Sequence, residues 1–518
     1  MRFLVLAAAV FALVGCDSDA PADCPGGPDC PTAGFDPDTV DFDALESLDF
    51  ERYVRPLLDA RDALAAANQS NTLDYAYAEL LDAGPSGLIV PFDGAASLLV
   101  RLARETLADS SAGPLPNLKA LQEDEVRFLE RWIDAGARAD ADSAPAYADA
   151  SSLLYICNQL AGRVQILDAD RRRVIRHVDF EALGQPANAK PHHVVTEPDG
   201  SAWYVALISG DGGGSVLKLS SSLDTDPSDA EYLLAEETPE DGSGTFQKPG
   251  MLALDAAQGR LYAGRSFSAD PTSSGLANLD RATMAFETIV TPDVHPHALG
   301  VSRDGRWVFT AGLTAISGQT PVYVYDTQTG DLSQQFVPGA QAFVHFAVSP
   351  DGATVVLTAQ TGAALYVFDF DTSTGELVQR GRVAVGQQPW HPLFAPDGAR
   401  VYVPNRLSNT VSVVDPAALA VVDTLGTDNV PERYGEPFSQ PHGTALSADG
   451  RTLYVSNRNL AMTGAAAWVP PFTFATAEGP ESPDLYGNVV VIDLEQDRVV
   501  DVIQTGRFAS GLALDESR

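Results

Sequence analysis

From Leu154 to the C-terminus, apolar and polar residues alternate in short strand-length runs, and the pattern recurs seven times at a spacing of about 45 residues. Runs beginning near Leu154, Trp203, Leu261, Trp307, Val355, Val401 and Leu453 are each followed by a second run, at 164–168, 216–220, 276–280, 322–326, 365–369, 411–415 and 489–493. Five of the returns between them close on Asp-Gly: Asp199-Gly200, Asp304-Gly305, Asp351-Gly352, Asp397-Gly398 and Asp449-Gly450. Asp-Gly between alternating apolar runs is a hairpin signal. Four short strands per repeat of this length predict a propeller blade, and seven copies predict a mainly β, seven-bladed propeller. The array opens on what is the second strand of every other copy and ends at Gly511-Leu512-Ala513-Leu514, which matches the first strand. The C-terminal strand is therefore expected to close the ring, leaving no free sheet edge at the seam.

The clearest copy reads Val401-Tyr402-Val403-Pro404-Asn405 followed by Val411-Ser412-Val413-Val414-Asp415. Over residues 152–518 this wording resembles the YVTN repeat of YncE-like bacterial β-propeller lipoproteins. The resemblance implies the fold. It leaves activity open, because propellers of this kind include binders, lactonase-like proteins and redox enzymes.

The front of the chain differs. Met1-Arg2, an apolar stretch over 3–14 and Leu13-Val14-Gly15-Cys16 read as a lipoprotein signal of residues 1–16 with its lipobox, too short to remain as a spanning helix. Cys16 is then the lipidation site, which places the chain in the bacterial cell envelope, lipid-anchored on the periplasmic or outer surface. Residues 17–40 are rich in Asp, Pro and Gly and read as a flexible tether. Cys24 and Cys30 flank part of it and are candidates for a disulfide in an exported chain; Cys157, in a strand, is expected to be buried and inert.

Within 41–145, apolar spacing predicts helices over 50–67, 73–83, 97–107 and 123–137. Their order, with Ile89-Val90-Pro91 and the ending Arg131-Trp132-Ile133-Asp134-Ala135-Gly136-Ala137, resembles the small cytochrome c-like domain of planctomycete-type exported proteins. The haem chemistry is missing. In that resemblance Asp62, Ala65 and Ala66 stand at the places of the two thiols and the adjacent His, and Leu115-Pro116 stands at the Met-Pro position. No His precedes His177 and no Met lies between Met1 and Met251. The expectation is a spacer or docking domain without covalent haem c.

Charge narrows the partners. A formal net charge of −37, with four lysines among 33 basic residues, disfavours nucleic acid and anionic membrane surfaces. Against this background, His192, His193, His295, His297, His345, His391 and His442 sit at or just before first strands, which line a propeller's central channel. Lys190 and Lys248 stand just ahead of first strands too, and Arg265, Arg406 and Arg458 stand at or just after second-strand ends.

A basic, His-lined mouth suits a small anionic ligand or a protein partner, and it is the expected ligand-binding site. Three readings stay open: a structural Pro-His wording of the repeat, a binding mouth, or metal or redox chemistry with copper or iron. For the last, His192, His297 and His442 lead, since they share one register, seven residues before the Asp of their turns; His193, His345 and His391 lie one residue later and are expected to face elsewhere. Architecture and His placement resemble those of the propeller in nitrous oxide reductase, with its His-ligated copper, and of nitrite reductase, with its bound haem. Neither lends a ligand set. The alternatives to a binding module are thus a periplasmic oxidoreductase holding a metal or non-covalent haem, and a lactonase-like hydrolase.

Cys16→Ser is expected to leave an exported but soluble chain. Fractionation after a high-salt wash tests this, and a variant still found with the membranes would refute the lipid anchor.

Overall fold

The computed structural model of the chain describes residues 35–61, 77–82, 86–108, 121–208, 214–239, 246, 248–265, 275–290, 296–313, 320–337, 341–460 and 486–518. Cys16, Cys24, Cys30, His295 and the haem-position residues Asp62, Ala65 and Ala66 lie outside them. Among the described residues, seven antiparallel sheets of four strands make a seven-bladed propeller; one sheet gains a short parallel fifth strand, Thr238–Pro239. The seven inner strands touch one another in a closed circle.

The ring closes as the repeat phase requires. Ala509–Asp515 pairs antiparallel with Leu153–Asn158, in a register that sets Leu154 opposite Leu514 and Ile156 opposite Leu512. The start of the propeller and the last strand thus share one blade, which continues outward through Arg163–Asp168 to Arg173–Asp179. Leu153, Leu154, Tyr155 and Ile156 are all fully buried, because this second strand is covered on both faces by neighbouring blades.

The Asp-Gly returns are one hairpin written five times. In each, the glycine N–H donates to the carbonyl three residues back, as from Gly305 to Ser302 (2.9 Å) and Gly352 to Ser349 (2.9 Å). Glycine is required because its φ lies near +70° in all five. The loop is longer than a two-residue turn, and in three of the five an opening serine fills the gap: Ser302 Oγ donates to Asp304 (2.6 Å) and accepts from Trp307 N (2.9 Å), with Ser349 and Ser447 repeating the arrangement.

Among the described residues, four α-helices precede the propeller: α1 (Arg55–Arg61), led in by a wide π-type turn at Phe50–Val54, then α2 (Tyr77–Asp82), α3 (Leu98–Ala108) and α4 (Glu123–Asp134). They pack on Phe50, Phe128 and Trp132, and Arg61 pairs with the buried Glu125 at 2.6 Å. This unit lies against the outermost strand of the shared blade. Val174 N donates to Ser86 Oγ (2.8 Å), His177 Nδ1 meets Asp93 (2.8 Å), and the buried guanidinium of Arg176 donates to Ala146 O (3.1 Å) and Leu223 O (2.6 Å) over the ring of Phe92. A single apolar cluster runs from Phe50 and Trp132 through Tyr147 to Tyr155 and Trp203 in the first two blades. Cys157 is buried and unoxidised, its thiol pushed up by burial.

Deleting residues 509–518 is expected to abolish the cooperative thermal transition, and Ile156→Ala is expected to cost about 2–5 kcal/mol. Calorimetry reads both. A truncated chain melting like the wild type would refute closure by the last strand.

Candidate functional site

The inner strands begin irregularly, and this builds the mouth. In five blades the inner strand carries one residue more than the strand opposite, within 191–193, 249–252, 343–346, 441–444 and 509–512. A bulge of this kind interrupts the alternation of side chains between the two faces. Pro191, Pro249 and Pro441 open three of these strands, where a missing N–H is tolerated. Lys248, Gln440 and Phe508, each just ahead of such a start, adopt left-handed backbone with φ of 57° to 60°. Neighbouring inner strands approach closely here: a Cβ on Gly511 would lie 2.6 Å from His192 O, and one on Gly443 2.4 Å from Ser510 O.

Six histidines from five blades converge at this mouth. His192 lies 5.8 Å, ring centre to ring centre, from His297 and 5.7 Å from His442. His193, His345 and His391 do not face elsewhere, as the register expectation had it; they form a second layer with mutual separations of 5.5, 5.4 and 5.1 Å. His391 joins the layers, 4.5 Å from His442. For His193 and His345 the physical reason is the bulge at 191–193 and at 343–346, which interrupts the alternation of side chains. Trp390 completes the first layer, 4.3 Å from His442 and 6.1 Å from His297.

Hydrogen bonds fix some of these rings and leave others unpartnered. His297 Nδ1 faces the carbonyl of Val344 at 2.9 Å, and a carbonyl only accepts, so the proton sits on Nδ1. His192 Nδ1 faces the carboxamide oxygen of Gln159 at 3.1 Å in the same manner. His193 is the reverse, its Nδ1 accepting from Leu252 N at 3.3 Å. Among the described residues, His192 Nε2, His345 Nδ1, His391 Nε2, Trp390 Nε1 and both nitrogens of His442 have no partner. Burial pushes His193 down to about 3 and His297 to about 4, and holds His192, His345, His391 and His442 well below the ordinary 6.5. The cluster is neutral at physiological pH.

Charge enters through Arg458. Its guanidinium lies near two aromatic rings, 4.5 Å from Trp390 and 4.2 Å from Phe508, and the residue is 5% exposed. Among the described residues it makes no ion pair and its Nε has no partner. Burial, with Arg406 adding to it, lowers its affinity for a proton well below the ordinary value. Arg406 approaches the same Trp390 ring at 6.0 Å, so blades six and seven repeat one device, an arginine following a buried asparagine (Asn405, Asn457). Arg265 does not join them: it stacks on Phe246 at 4.5 Å, and the charge it feels is that of Glu237.

Several mouth residues escaped sequence reasoning. Gln159, Gln440 and Phe508 belong to no repeat motif, and the one signal available was their place in loops leading to or from the mouth. Gln440 Nε2 donates to Leu460 O at 2.6 Å.

Comparison with known proteins places this mouth in a broad context. A family model described as "Lactonase, 7-bladed beta-propeller" matches residues 235–474, a span holding His297, His345, His391, His442, Arg406 and Arg458. Two uncharacterised proteins of Staphylococcus epidermidis are 29% identical over 174 residues, 30% of this chain and 49% of theirs; the chain spans about half the length of the curated relatives it matches. Among solved structures, a periplasmic gluconolactonase of Pseudomonas aeruginosa is 18% identical with a TM-score of 0.48, covering 70% of this chain and 98% of that one. A Bacteroides fragilis protein, provisionally described as a 6-phosphogluconolactonase, is 15% identical with a TM-score of 0.49, covering 71% and 99%.

The neutral histidines set a pH dependence. In the unfolded chain a histidine protonates near 6.5, whereas in the fold His193 and His297 do so only near 3 and 4. Between those limits the unfolded state binds more protons, so stability rises with pH. Each histidine's contribution is complete above about 6.5 and falls by about 1.4 kcal/mol per pH unit below it. Urea unfolding between pH 7 and pH 4.5 is expected to show this slope, and His391→Phe to reduce it. Equal slopes in the two proteins would contradict the assignment.

Proposed function

We propose that the propeller mouth binds a small, oxygen-rich organic anion of the sugar-acid class, with Arg458 as its anchor. The observation that carries this reading is the guanidinium of Arg458, desolvated and without a carboxylate among the described residues. Removing such a charge from water unpaired is costly, and an anionic ligand offsets that cost. The planar group lies 4.5 Å from the Trp390 ring and 4.2 Å from that of Phe508, and the N–H edge of a guanidinium matches a carboxylate or phosphate. Gln440 and the unpartnered nitrogens of His192 and His442 supply neutral hydrogen-bonding groups for hydroxyls, and six uncharged imidazoles add no competing anion.

The lactonase family match favours a second reading at the same site, hydrolysis of the cyclic ester form of such an acid. In that reaction a water oxygen attacks the ring carbonyl carbon, and His442 accepts the water's proton. The Arg458 edge steadies the oxyanion, the ring C–O bond breaks, and the proton passes to the departing alkoxide. The remaining proposals concern location. The chain works outside the cytoplasm, tethered through lipid at Cys16, and the helical unit is a haem-less module seated on the ring-closing blade.

Isothermal titration with gluconate and 6-phosphogluconate tests the binding, and pH-stat assays with the corresponding lactones test the hydrolysis. Arg458→Gln is expected to weaken anion binding by about 10–100-fold, the loss of charge-assisted hydrogen bonds. Wild-type protein indifferent to both anions at millimolar concentration would refute the anion site. Anion binding without lactone turnover would leave a binding module.

A further inference from the structure

The two histidine layers are chemically different. In the first, the oxygens of Val344 and Gln159 hold the protons of His297 and His192 on Nδ1, which leaves each Nε2 as a lone-pair donor. That is the arrangement in which an imidazole binds a metal, its other N–H given to a carbonyl oxygen. His442, 5.7 Å from His192, has both nitrogens unpartnered and is completely buried. In the second layer, His193 accepts from Leu252 N through Nδ1, so its proton sits on Nε2 and it presents a donor to its neighbours. A metal at His193 Nε2 would have to strip that proton; at His192 and His297 no proton stands in the way.

We propose that His192, His297 and His442 form a three-imidazole site for a divalent first-row transition-metal ion. Such ligands suit zinc, copper, iron and nickel rather than magnesium or calcium. Among the described residues no three ligating groups already converge on one point, so loading requires the rings to turn. His442 has no hydrogen bond to resist this.

Arg458 couples this site to the anion. Its guanidinium lies 4.5 Å from the Trp390 ring, which itself lies 4.3 Å from His442 and 6.1 Å from His297. A dication beside a buried guanidinium is repelled unless an anion lies between them. Metal and anion are therefore expected to raise each other's affinity by the same factor. This coupling rests on the anion reading; the imidazole site does not.

The test uses the full chain, cobalt(II) as the metal and sulfate as the anion. Wild-type protein is expected to bind one Co(II) with d–d bands and no thiolate charge-transfer absorption, and sulfate is expected to tighten that binding about tenfold. His192→Phe and His297→Phe are expected to lose the bands, while His193→Phe, an equally buried substitution, keeps them; circular dichroism and melting confirm that all three fold. Arg458→Gln should bind Co(II) with no response to sulfate. Wild-type protein that binds sulfate but no Co(II) would overturn the metal site and leave the anion reading standing. Co(II) binding indifferent to sulfate in the wild type would overturn the coupling and count against the anion reading. Loss of Co(II) in His193→Phe alone would overturn the choice of layer.

Discussion

The pairing of Ala509–Asp515 with Leu153–Asn158 is the contact on which the rest of this molecule depends. Each blade buries its faces only against neighbours, so an open array of seven would leave two apolar sheets facing water. Closure removes those faces and also brings the starts of all seven inner strands around one axis. His192 and Ser510 illustrate the link. They lie more than 300 residues apart in sequence, yet Ser510 Oγ donates to His192 O at 3.3 Å across the closing seam. The mouth exists because the ring is shut.

Closure imposes a cost at that mouth. Inner strands crowd together, and the crowding is accommodated by bulges, by glycines at 443 and 511, and by left-handed residues ahead of the strand starts. Two histidine layers meet in this crowded volume with several of their nitrogens lacking a partner among the described residues, next to an arginine whose Nε is in the same condition. Neutral imidazoles tolerate such burial, since their proton is shed into solvent. A guanidinium cannot shed its charge as readily, and its unpaired state is the strongest electrostatic feature of the site. Unsatisfied polar groups of this kind are held in place by the surrounding packing and are characteristic of functional sites.

The helical unit contributes to the same economy of closure. It lies on the outermost strand of the blade built from both ends of the propeller, and it covers that edge through Ser86, Asp93 and the backbone acceptors of Arg176. An exposed outer edge on the blade most dependent on a long-range pairing would be the place where unfolding begins.

Much of this was legible in the residues before folding was considered. Strand period, Asp-Gly hairpins and repeat phase determined the blade count and the split blade, because these depend on local alternation and on turns that need a positive φ. The clustering of His192, His297, His345, His391 and His442 near one mouth was legible for the same reason, as each precedes a first strand. Side-chain direction was not. A register count assigned His193, His345 and His391 to face away from the first layer's histidines, and the fold overturned it, at His193 and His345 through bulges that arise from crowding between blades and that no single repeat records. Arg265 stood in a position analogous to Arg458, but only its tertiary neighbours, Phe246 and Glu237, withdrew it from the cluster. The sequence by itself determined the architecture and which residues approach the axis. Tertiary packing decided which of them meet, which stay unpaired and which carry charge, because those outcomes depend on contacts between blades far apart in the chain.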